Sequence, residues 1–65
     1  MKVKKQKTYG ELKVTEEEYA RAKHLACEQS GRRGEQMYQL KNYCEGRMHY
    51  RKDVEDALSF IRTKI

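Results

Sequence analysis

The sequence predicts an all-α fold, a helix-turn-helix-like domain of three helices behind an extended basic arm. Apolar residues recur at intervals of three and four in three separate segments. Residues suited to helix capping open the first and third segments, and glycines with no proline anywhere mark the breaks between them. At 65 residues the chain holds one domain with one small core. Leu, Ile, Val and Phe number ten, near the level at which a chain ceases to fold unaided, so each apolar position has to count.

The elements follow in order. Residues 1–8 are expected as a flexible basic arm and residues 9–65 as the single domain. Met1 to Lys13 carries five lysines against Glu11. Tyr9, Leu12 and Val14 alternate weakly and suit either a short strand or an extended entry segment. Thr15-Glu-Glu-Glu18 reads as a capping box, in which the Thr15 hydroxyl accepts a backbone N–H three residues on and Glu18 reaches back. The first helix therefore spans Glu16 to Gln29, with Val14 and Tyr19 at staple spacing. Tyr19, Ala22, Leu25 and Ala26 form its inner face; Glu17, Arg21, His24 and Glu28 form its outer one.

Ser30-Gly-Arg-Arg-Gly34 interrupts this periodicity, and either glycine can close the first helix. The second helix runs from Glu35 to Cys44, with Met37, Leu40 and Cys44 inward, Tyr43 at the edge, and Glu35, Tyr38, Gln39 and Asn42 facing away. Gly46 ends it. Arg47 to Lys52 suits a short extended connection or a rudimentary wing. Asp53 caps the third helix, Val54 to Lys64, whose residues Val54, Ala57, Leu58, Ile61 and Ile65 make the cleanest apolar seam of the chain and its expected core. That seam is rich for a small monomer and suggests a homodimer paired through the third helix.

The net charge of +5 is distributed in blocks, +4 over residues 1–13 and +4 over residues 31–52. If the second helix projects from the core, Arg32, Arg33, Lys41, Arg47, Arg51 and Lys52 cluster as a footprint for phosphates. Gln36, Gln39 and Asn42 add amides able to pair with adenine edges. Duplex DNA is the partner this layout suggests, with Arg32, Arg51 and Lys52 on phosphates and Gln36 and Gln39 on base edges.

His49-Tyr-Arg-Lys-Asp-Val-Glu-Asp-Ala-Leu58 resembles the wing-to-last-helix junction of small excisionase and MerR-type winged helix-turn-helix domains. Leu12-Lys-Val-Thr-Glu-Glu17 is similar to the entry and capped first helix of the same family. The resemblance implies a phage-like DNA-binding regulator of transcription or excision, with Arg33, Gln36 and Gln39 toward the major groove and Arg47, Arg51 and Lys52 on the backbone.

Other chemistry is thinly represented. His24-x-x-Cys27 and Cys44 with His49 supply four zinc ligands by count, but the cysteines suit the edges of core faces and His24 suits the surface, so neither metal nor cofactor is expected. Cys44 and His49 are the one cysteine–base pair close in sequence, and a core this small frames no substrate cleft, so an enzyme is not expected. No apolar run approaches membrane-spanning length and no leader pattern is present, which points to a soluble cytoplasmic protein. Tyr9, Tyr38 and Tyr50 beside arginines equally suit a second function, a small inhibitor or modulator, of the kind mobile elements encode, that docks to a larger enzyme or regulator.

Overall fold

A computed structural model describes residues 8–64, for Lys64 the backbone alone. Its elements are β1 (Thr8–Tyr9), β2 (Val14–Thr15), α1 (Glu16–Glu28), α2 (Gly31–Cys44) and α3 (Arg51–Lys64). The three-helix all-α domain is present, and a small antiparallel hairpin precedes it, with Thr8 opposite Thr15 and Tyr9 opposite Val14. Gly10 at φ 66° and Lys13 at φ 53° turn the hairpin through the left-handed region. Gly10 also sits where any side chain would collide with the Tyr43 hydroxyl, and that hydroxyl accepts the Leu12 N–H at 3.0 Å. The expected flexible arm lies outside the described residues except for Thr8, which opens β1.

Both halves of the capping box form. The Glu18 N–H donates to Thr15 Oγ1 at 3.2 Å and the Thr15 N–H to Glu18 Oε1 at 3.1 Å. Glu18 is buried, and it receives a second fork from α3, with Arg62 Nε at 2.9 Å from Oε2 and Nη2 at 3.2 Å from Oε1. Burial alone would raise the Glu18 pKa; the bonds from Arg62 and Thr15 outweigh it and hold the carboxyl below its ordinary value. Ala22 is fully buried, and Tyr19, Leu25 and Ala26 are partly buried against the core it belongs to. Cys27, expected at the edge of the core, is exposed.

The second helix begins at Gly31 rather than Glu35. Gly31, at φ 69°, turns the chain after Gln29 and Ser30, and Ser30 caps α2 without a side-chain bond. Gly34 is then a helical residue, pressed so closely on the end of α1 that a Cβ there would lie 2.5 Å from the Gln29 carbonyl oxygen. Of the two glycines that read locally as a break, Gly31 makes the turn and Gly34 lets the first turn of α2 press on the C-cap of α1.

Helix α2 does not project from the core; it is the core's axis. Helices α1 and α3 both pack on it and barely touch each other. Met37 and Leu40 are fully buried among Val14, Ala22, Val54, Ala57 and Ile61, with Cys44 and Leu58 nearly so. Asn42, expected to face away, is buried as well. The segment Gly46–Tyr50, which has no strand and hence no wing hairpin, folds back along α2 as a strap. The Arg47 N–H donates to the Asn42 carbonyl at 2.8 Å and the Tyr50 N–H to Gln39 Oε1 at 2.9 Å.

The third helix starts at Arg51, two residues before the expected Asp53 cap, because the Tyr50 carbonyl accepts the Val54 N–H at 3.0 Å and closes an earlier turn. Val54, Ala57, Leu58 and Ile61 are buried as the seam foretold, and Ile65 lies outside the described residues. The monomer's own core covers these four residues.

Ile61→Ala should cost about 2–5 kcal/mol, a large share of a domain this size, and lower the melting temperature by about 10 °C or more. A shift of a degree or two would mean that α3 does not close the core. The depressed Glu18 pKa contributes stability that is complete above the ordinary value of 4.5 and is lost as pH falls through the lower folded value. Glu18→Gln keeps the shape and should remove about 1–2 kcal/mol at neutral pH, Arg62 being half exposed. It should also flatten the acid limb of the stability profile measured by urea melts, and unchanged slopes in the two proteins would place the acid sensitivity on other carboxylates.

Candidate docking groove

The nine basic and amide residues singled out by sequence separate in space. Arg33 lies with its guanidinium 4.1 Å over the Phe60 ring and donates to Gln36 Oε1 at 2.9 Å. Gln36 is 6% exposed, and its amide nitrogen donates to Asp56 Oδ2 at 3.3 Å. Gln39 receives the Tyr50 N–H, and Asn42 lies under the strap with its Oδ1 lacking a partner among the described residues. These three amides are therefore turned inward or engaged by the protein itself.

The cations divide similarly. Lys41 and Arg47 both meet Glu45, at 3.2 and 3.6 Å. Glu45 also accepts the Tyr19 hydroxyl at 2.6 Å, a bond that pushes the Tyr19 pKa up to about 12 and, with Lys41, draws the Glu45 carboxyl below its usual value. Arg51 pairs with Glu55 at 2.9 Å and points toward Glu11 of the hairpin turn at 3.9 Å. Only Arg32 and Lys52 of the nine stand exposed with no partner among the described residues. The second basic block of the sequence is thus dispersed: Lys41 and Arg47 share Glu45, Arg51 meets Glu55 and Glu11, and Arg32, Arg33 and Lys52 have no carboxylate partner among the described residues.

Two open grooves lie along the α2–α3 seam. The first, about 600 Å³, is lined by Arg32, Arg33, Gln36, Asp56, Ser59 and Phe60. The second, about 400 Å³, is lined by Glu35, Gln39, Met48, His49, Tyr50 and Asp53. The Gln36–Asp56 bond bridges the two helices at the first. Met48 is 85% exposed and Tyr50 67%. Their backbone is held against α2 by the strap's hydrogen bonds, which leaves the two side chains in water at the mouth of the second groove.

Phe60, Glu35, Asp53 and Asp56 were not among the residues that sequence reasoning selected. Phe60 falls beside the i, i+3, i+4 seam rather than on it, and that offset was the available signal for an aromatic at a groove edge. The alternation of Met48 and Tyr50 was visible, but not that a strap would hold both outward.

The possible catalytic and metal pairs do not assemble. His49 stands edge-on to the Tyr43 ring at 4.8 Å. Burial, followed by the Glu18 and Glu45 charges, pushes the Cys44 thiol up to about 11, so it stays protonated at neutral pH. Among the described residues no three His, Cys, Asp or Glu side chains come together as metal ligands, and no helix is long and apolar enough to cross a membrane.

Comparison of the chain with known protein families, characterised proteins and solved structures gives no match.

Proposed function

We propose that this chain is a non-catalytic docking protein that binds a larger protein through the grooves between α2 and α3. One observation carries the reading: in a chain with mean hydropathy of −1.16, Met48 and Tyr50 stand in water on a strap whose Arg47 and Tyr50 N–H groups bond to α2. Exposed Met and Tyr framed by arginine and mixed charges have the composition of a protein interface, where aromatic, Met and Arg side chains are enriched. The grooves' charges are of both signs, which suits protein recognition better than a phosphate backbone.

A second reading, contact with duplex DNA as expected from an excisionase- or MerR-like regulator, is favoured by the exposed and unpartnered Arg32 and Lys52. It rests on backbone contacts, because Gln36 and Gln39 already bond within the protein.

Affinity capture of partners from cells expressing the chain, followed by titration of the purified captured protein, separates the two readings. Met48→Ser with Tyr50→Ala should leave the helical signal and melting temperature nearly unchanged and weaken binding by tenfold or more, as loss of interface anchors does. Arg32→Ala and Lys52→Ala should change it less. If the parent instead binds duplex DNA with a steep salt dependence, each of those two changes should lower the slope by about one. Full retention of protein binding in the Met48/Tyr50 variant would overturn the docking reading.

A further inference from the structure

We propose that the strap, residues 46–50, is a two-position element: latched along α2, or released from it with α3 shortened to a helix capped by Asp53. Met48 and Tyr50 ride on the strap, so its position sets how both are presented, whether or not they dock.

The latched strap covers a polar side chain. Asn42 stands two residues on from Leu40 and therefore on nearly the opposite side of α2 from the core. Helices α1 and α3 pack around Leu40, so the chain that covers Asn42 is the strap, whose Arg47 N–H bonds to the Asn42 carbonyl. Asn42 is only 8% exposed. Its Oδ1 is buried with no hydrogen-bond partner among the described residues, and an unpaired buried acceptor opposes the state that buries it. Release returns that oxygen to water.

Little holds the strap down. All five of its residues are exposed, so latching buries little apolar surface of its own. Its ties to α2 are the Arg47 N–H at 2.8 Å, the Tyr50 N–H on Gln39 Oε1 at 2.9 Å, and the His49 ring edge-on to Tyr43 at 4.8 Å. None of these engages a fully buried apolar side chain. Gly46, at φ 77°, is the hinge where the strap leaves α2. The strap therefore opens as a local unit while Met37, Leu40 and Ile61 stay packed.

The start of α3 has two solutions. Latched, the helix opens on Arg51 and Lys52, cations at the positive pole of its dipole. Tyr50, just before it, makes no capping bond with its side chain, and Asp53, a favoured capping residue, lies inside the first turn with no bond to its carboxylate among the described residues. Released, Asp53 takes the N-cap position and accepts the Glu55 or Asp56 N–H. The change gives up the Arg51–Glu55 pair, whose side chains are each about half exposed and which therefore adds little. Each position has local interactions that the other lacks, as two states of comparable free energy require.

Native-state hydrogen exchange of the full chain, followed by NMR, tests this. The Arg47, Tyr50 and Val54 amides, bonded to Asn42, Gln39 and Tyr50 when the strap is latched, all lose their acceptors on release. Their protection factors should agree within about threefold and lie at least a hundredfold below those of Leu40 and Ile61. Asn42→Leu removes the orphaned oxygen and should raise all three about tenfold. Asp53→Ala removes the cap of the released state and should raise them about threefold. Were Asp53 to act only within the latched helix, losing an acid from the first turn would lower them instead. Leu40 and Ile61, read in the same spectra, report the global stability of each variant.

Protection of the three amides equal to that of Leu40 and Ile61 would overturn the proposal, because the strap would then open only with the whole chain. Three unrelated values would overturn it too, as they report independent fraying. Lower protection in Asp53→Ala would overturn the Asp53-capped released state, and unchanged protection in Asn42→Leu would remove the buried amide as the force behind release.

Discussion

Scarcity of apolar side chains is the constraint from which the architecture follows. With ten Leu, Ile, Val and Phe in the whole chain, three helices cannot each have a separate apolar seam with each of the others. The workable arrangement is one shared helix. Met37 and Leu40 of α2 are fully buried in a core to which α1 contributes Ala22 and α3 contributes Val54, Ala57 and Ile61. The smallness of Ala22, Ala57 and Gly34 lets the helices approach closely enough for two large residues to serve both interfaces. What packing cannot join, polar groups do. The fork from Arg62 to Glu18 ties α3 to the start of α1, two helices with little direct contact, and Tyr43 holds the hairpin by accepting the Leu12 N–H.

Sharing one helix has a consequence for the surface. Because α2 is committed on both flanks, its free arc is narrow, and the strap covers the carboxy-terminal part of that arc over Asn42. Asn42, which periodicity assigns to solvent, becomes internal, and Gln36, assigned to base edges, is buried as well. The arc that remains opens beside α3, so the surface it leaves lies in a valley between helices rather than on the crest of one.

The parts of the fold legible in the sequence were those written in local interactions. The Thr15–Glu18 box depends on residues three apart, and the α3 seam depends on one helix's own period; both form as read. Contacts made through turns were not legible. Gly34 looks like a terminator until the Gln29 carbonyl is placed against it, and Asp53 looks like a cap until the strap brings Tyr50 to Gln39 and starts the helix earlier. The basic block is a different case: Lys41–Glu45 and Arg51–Glu55 stand at i, i+4 and Arg47 two residues from Glu45, pairs written in the local sequence that a count of charges overlooks, and only the approach of Glu11 to Arg51 is distant in the chain.

The helices differ in how their amino-terminal ends are matched to the helix dipole. Helix α1 begins with three glutamates and a complete capping box, the arrangement that its dipole favours. Helix α2 begins with Arg32 and Arg33 and an N-cap Ser30 whose hydroxyl makes no capping bond, and α3 begins with Arg51 and Lys52. Basic residues at the positive pole of a helix oppose stability, and in a domain with so small a core such departures from local preference are costly. Arg33 and Arg51 are compensated internally, by Phe60 and Gln36 and by Glu55. Arg32 and Lys52 are not, among the described residues, and Arg32 lines one of the two grooves along the α2–α3 seam, the other of which carries Met48 and Tyr50. A departure from local preference that is left uncompensated and the most exposed apolar side chains thus both border the α2–α3 seam.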